Sequence, residues 1–107
     1  MTTKTAETKK FHLAHILSIT TGVLLPAPGV DYPIDTVYEI TDFMEGDGHS
    51  TLGLVSAGDR CKIELLKQFP ELAYITVDQI IPGGWEVNLS LLAAKHGEWF
   101  EVRKISE

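Results

Sequence analysis

Proline and glycine interrupt this chain so often that no apolar segment can form a stable element by itself. The breaks fall at Pro26, Pro28 and Gly29, at the Glu45–Ser50 stretch EGDGHS, at Pro70, at Pro82, Gly83 and Gly84, and at Gly97. Such residues fix or free the backbone at turns, and the segments between them are too short to cross a bilayer, which takes ~20 apolar residues. Several short elements must therefore share one core. A length of 107 residues with 44% hydrophobic content supplies one core and leaves no room for a second. Residues 1–10 are polar and read as a disordered tail, and residues 11–107 read as one globular domain.

Four helical segments are expected. Leu13, Ile16, Leu17 and Thr20 recur at helical spacing before Gly22, which suits a left-handed stop; the β-branched run Ile19, Thr20, Thr21 keeps a strand over 11–19 as the alternative. A second helix starts at Pro33, with Asp35 in its first turn and an apolar face of Ile34, Val37, Tyr38 and Thr41, widened by Ile40, Phe43 and Met44. Ser56 and Asp59 stand in the relation of a cap and its third residue, so a third helix is expected to begin at Ser56 and to bury Ala57, Cys61, Leu65 and Leu66. Pro70 closes it, and Leu72, Tyr74 and Ile75 are expected to continue the apolar surface. The fourth helix runs from about Glu86 to His96, with Leu89, Leu92 and Ala93 inward and Gly97 as its C-terminal cap. The tail EWFEVRKI then alternates as a half-buried strand does. A strand needs a partner, and Phe11–His12 or the segment 52–55 could supply it. The expected fold class is α+β, a small domain of about four helices with a short β element that includes the C-terminal strand.

The charge balance limits the partners. A net charge of −6 argues against direct binding of nucleic acid, which needs clustered Lys and Arg. The same charge would steer the chain toward a basic protein surface. With Cys61 as the single cysteine, no intramolecular disulfide and no thiolate zinc cluster can form, which suits a reducing cytoplasm. Neither a secretory signal nor a membrane span is evident, so membrane attachment is not expected.

No motif for catalysis or metal binding emerges. His12 and His15 would share a helix face, but a zinc site needs further ligands, and beside Lys9 and Lys10 the pair reads as surface. Cys61 falls on the inferred buried side of its helix, where an inert packing role is commoner than a nucleophilic one. The EGDGHS turn lacks the Lys and hydroxyl residue of a phosphate-binding loop. Asp42, Glu45 and Asp47 do not reproduce the ligand spacing of a calcium loop, and are better suited to contact a basic partner. Trp85 and Trp99 join them as candidate partner-binding residues, because Trp is enriched at interface hot spots; for Trp85 the competing role is a plug over the core. No catalytic residue, metal ligand or cofactor is expected.

Three stretches, FHLAHILSITTGVLL, VYEITDFMEGD and the helix from Cys61 through FPEL, resemble an uncharacterised family of small phage and prophage proteins, over roughly residues 11 to 75. The first block agrees at Ile16 to Gly22, and the second at Val37, Tyr38, Ile40, Phe43, Met44, Gly46 and Asp47. The third departs, with Leu52 where the family carries a histidine and Ser56 where it carries an arginine. The resemblance implies a phage or prophage origin and a bacterial host cytoplasm, and it carries over no activity. In that setting size, charge and origin point to an inhibitor of a host protein, such as an anti-CRISPR acting on a nucleic-acid-binding defence complex. The alternatives are a phage accessory protein or homodimer joined through the terminal strand, and a small ligand-binding domain or enzyme with a pocket near Thr20, Thr21 and the EGDGHS turn.

Overall fold

A computed structural model describes residues 8–45 and 51–105. Strand β1 (Thr8–His12) leads directly into α1 (Leu13–Thr20); α2 (Pro33–Glu45), α3 (Thr51–Gln68), a short 3₁₀ turn (Pro70–Tyr74), α4 (Trp85–His96) and β2 (Trp99–Arg103) follow. The fold class is α+β, as the sequence led one to expect. β1 begins at Thr8, inside the stretch expected to be tail.

All eight residues of α1, LAHILSIT, are buried. A helix apolar nearly all round can be satisfied only at the centre of a fold, and α1 packs against α2, α3, α4 and β1. Its hydroxyls mostly bond locally. Ser18 Oγ donates to the Ala14 carbonyl at 2.7 Å and accepts the Leu25 N–H at 3.0 Å, fastening the loop that leaves the helix. Gly22 takes φ +81°, which turns the chain away after α1. The loop is pinned again where Ala27 N–H donates to Thr36 Oγ1 of α2 at 3.1 Å.

The start of α1 corrects the reading of His12 and His15 as surface residues, since both are buried. His12 is the N-cap: its Nδ1 accepts the Ala14 N–H at 3.0 Å, while His15 Nδ1 accepts the His12 N–H at 3.3 Å. Imidazoles here do the work usually done by Ser or Thr and Glu in a reciprocal cap. The adjoining Leu13 N–H donates to the Glu98 carbonyl at 2.9 Å, which ties the helix to the entry of β2.

α2 starts at Pro33 as expected, but its buried face is Thr36, Val37, Ile40, Thr41 and Met44. Ile34 is exposed and Tyr38 and Phe43 are half-buried. The face is rotated because Thr36 satisfies the loop amide of Ala27 and so turns inward. α3 contradicts the capping assignment. It begins at Thr51, which leaves the exposed Ser56 inside the helix, where no free N-terminal amide remains to be capped. Ala57, Cys61 and Leu65 are buried on it as expected, and Leu66 is half-buried. Past Pro70, Leu72 and Ile75 are buried, but Tyr74 is exposed because the tight turn carries it outward. α4 begins at Trp85, one residue before the expected start. Gly84 and Gly97 flank that helix at φ +105° and +111°, and Asn88 Nδ2 donates to the Ile80 and Pro82 carbonyls, holding the turn before it.

β1 and β2 pair antiparallel with Phe11 opposite Phe100 and His12 opposite Trp99, so of the two offered partners the N-terminal one is used. Residues 52–55 belong to α3. Phe100 and Val102 face the core, and Trp99, Glu101 and Arg103 face out. At the outer edge of β2, the Gln68 side chain accepts the Arg103 N–H at 2.9 Å and donates to its carbonyl at 3.1 Å. The two backbone groups that a further strand would use at Arg103 are thereby occupied.

Candidate interaction surface

Once α2 buries Thr36, Val37, Ile40, Thr41 and Met44, helical geometry sends Asp35, Glu39 and Asp42 to the opposite side, at spacings of four and three residues. The loop before the helix adds Asp31. These four acids, with Gly29, Val30 and Tyr38, line one shallow hollow of about 370 Å³. Asp31, Glu39 and Asp42 are exposed, and Asp35 is half-buried in the first turn, where the helix dipole favours an anion.

The expected trio of Asp42, Glu45 and Asp47 is not brought together in this way. Asp42 stands in the hollow. Glu45 has only 13% of its side chain exposed and holds Arg60 of α3 through two oxygens, at 2.9 and 2.7 Å, so it fastens α2 to α3. Asp47 and His49, with the rest of the EGDGHS turn, lie outside the described residues. Trp85 is half-buried and packs against the core. Trp99 is 52% exposed on the outer face of the hairpin, its ring 5.2 Å from that of His12 in an edge contact. The sequence reading leaves Asp31, Asp35 and Glu39 out of the acidic group, although the spacing of Asp35, Glu39 and Asp42 already marks one face of a helix.

The two imidazoles that cap α1 are tied at both ring nitrogens. Because each Nδ1 accepts a backbone N–H, the neutral form of His12 and His15 carries its proton on Nε2. From there His15 donates to Glu39 at 2.7 Å and His12 faces Glu98 at 3.4 Å. Burial lowers the His15 pKa, against the opposing pull of Glu39. His12, Ser90 and Glu98 line a common hollow, but the His12 nitrogen free of the backbone is directed at the carboxylate, so it cannot accept the serine proton. The Cys61 thiol is pushed up to about 12, by burial first and by the Glu45 charge second, and remains a thiol at neutral pH. Among the described residues no cluster of three or more His, Cys, Asp or Glu side chains could hold a metal. Among them, too, no helix is long and apolar enough to cross a membrane.

A family model described as a domain of unknown function, DUF7736, matches residues 11–75. The chain belongs to the DUF7736 family. The DUF7736 segment takes in the end of β1, α1, α2, α3 and the 3₁₀ turn, and so the whole acidic hollow; α4 and β2 lie beyond it. No curated protein and no solved structure matches the chain.

Proposed function

We propose that the domain acts by binding, presenting the acidic outer face of α2 to a basic surface on another protein. The observation that supports this is the gathering of Asp31, Asp35, Glu39 and Asp42 around one hollow beside Tyr38. Carboxylates gathered in this way resemble phosphates in charge, and their field speeds encounter with a cationic groove. In the phage setting that the sequence resemblance implies, the partner is a host protein that holds nucleic acid, such as a CRISPR or other defence complex, and the domain is its stoichiometric inhibitor in the bacterial cytoplasm. Trp99, exposed on the hairpin, is a second candidate contact.

The test is capture from host lysate by the tagged domain, beside a variant carrying Asp31→Asn, Asp35→Asn and Asp42→Asn. Glu39 is left intact there because it holds His15. The parent is expected to retain a basic protein that salt releases, since exposed charges are screened over ~8 Å at physiological ionic strength. The triple variant is expected to lose it through slower association. Equal retention by both, at every salt concentration, would falsify the acidic face as the contact.

A further inference from the structure

Among the described residues, buried helical hydroxyls have partners, with one exception. Ser18 and Thr41 each donate to the carbonyl four residues back, and Thr36 accepts a loop amide. Thr20, at the end of α1, is only 9% exposed, and its Oγ1 is the buried side-chain polar atom without a hydrogen-bond partner among the described residues. Burying a hydroxyl without a partner costs stability, and the cost is recovered when a partner arrives.

Thr20 lines a hollow of about 370 Å³ between the end of α1, α3 and the 3₁₀ turn. That volume lies at the lower end of the range for small-molecule sites. Leu66, Leu72, Ile75 and Val77 supply apolar wall, and Lys62 stands among the lining residues. Of the ion pairs His12–Glu98, His15–Glu39 and Arg60–Glu45, none engages Lys62. Thr21, also in the wall, is already satisfied, donating to the Leu17 carbonyl and accepting the Val23 N–H. A single step in χ1 swings the Thr20 hydroxyl between staggered positions, so it can turn toward a guest.

We propose that this hollow is a binding site for a small monocarboxylate with a compact apolar body. The body lies against Leu66, Leu72, Ile75 and Val77, the carboxylate faces Lys62, and the Thr20 hydroxyl donates to the guest. The partial negative charge at the end of α1 disfavours an anion there, which makes the Lys62 ammonium necessary rather than auxiliary. The site is separate from the acidic face of α2 and stands or falls independently of it.

The experiment is an amide NMR titration of the full chain with benzoate, beside benzyl alcohol and acetate. Benzoate is expected to cause saturable shifts at residues 20–23, 62–66 and 72–77. Benzyl alcohol is expected to bind severalfold more weakly, and acetate without saturation. Thr20→Val keeps the shape and removes the hydroxyl, so it is expected to raise the unfolding midpoint while weakening benzoate severalfold. A merely structural hydroxyl would move both in the same direction. Lys62→Gln is expected to weaken benzoate and leave benzyl alcohol unchanged, and it keeps the test decisive should the valine variant fold poorly. Shifts that never saturate or map elsewhere, or affinity unchanged in both variants, overturn the site.

Discussion

At the level of single residues, the unusual choice is histidine as the cap of the central helix. Protonating Nδ1 of either imidazole replaces an acceptor by a donor facing a backbone N–H, so the cap works only in the neutral state. His15 is faced by Glu39 from α2, by His12 at the cap and by Lys9 from β1; burial, helped by the His12 and Lys9 charges, outweighs Glu39 and holds its pKa below the ordinary 6.5. Just below pH 6.5 the unfolded chain therefore binds a proton that the folded chain does not, and acid favours unfolding. The stability His15 contributes is complete above that pH and is lost as the pH falls toward its folded pKa. Urea midpoints measured across this window are expected to fall with pH in the parent and to fall less in His15→Gln. Cys61 gives a second residue-scale expectation. Cys61→Ser should cost more than Cys61→Ala, since a hydroxyl buried without a partner costs about 1–3 kcal/mol, and thiol reagents should label the folded chain slowly. Rapid labelling would reopen a reactive role for Cys61.

Among elements, α3 shows how a local signal misleads. The Ser56–Asp59 spacing matches a reciprocal cap, yet nothing in the pair itself tells a helix start from a helix middle. α3 runs back to Thr51, so Ser56 is an exposed interior position. There Ser→Ala removes no cap and improves helix propensity, and Ser56→Ala is expected to raise stability by about 0.5 kcal/mol. Chemical denaturation reads the sign directly: a loss near 1 kcal/mol would restore the cap at Ser56. Signals with a covalent cause fared better. Pro33 opens α2 and Pro70 follows the end of α3, while Gly22 and Gly97 end α1 and α4 at positive φ. A fixed φ or a missing Cβ acts whatever surrounds it.

For the whole molecule, the order of elements decides which part can fold. α1 is buried on all sides, and part of its cover comes from α4 and the β2 hairpin, with Leu13 N–H bonded to Glu98 and Phe11 paired with Phe100. A fragment of residues 11–75, the span of the family match, would expose that side of α1 and leave β1 unpaired. It is expected to show little helical circular dichroism and no cooperative melting, whereas the full chain melts as one unit. A cooperatively folded fragment would show that α4 and β2 are accessory to the core.

The sequence by itself determined the three later helices, the C-terminal strand with its in–out alternation and the burial of Cys61, because those follow from local covalent constraints and from periodicity; the choice of helix over strand at α1 and the strand that partners β2 stayed open. Only the tertiary structure decided that α1 is central, that His12 and His15 are buried caps, and that Glu45 holds Arg60 while Asp42 joins Asp31, Asp35 and Glu39. Each of these depends on which neighbours cover a residue, and a side chain of amphipathic type, such as histidine or glutamate, is stable on a surface or in a satisfied interior alike.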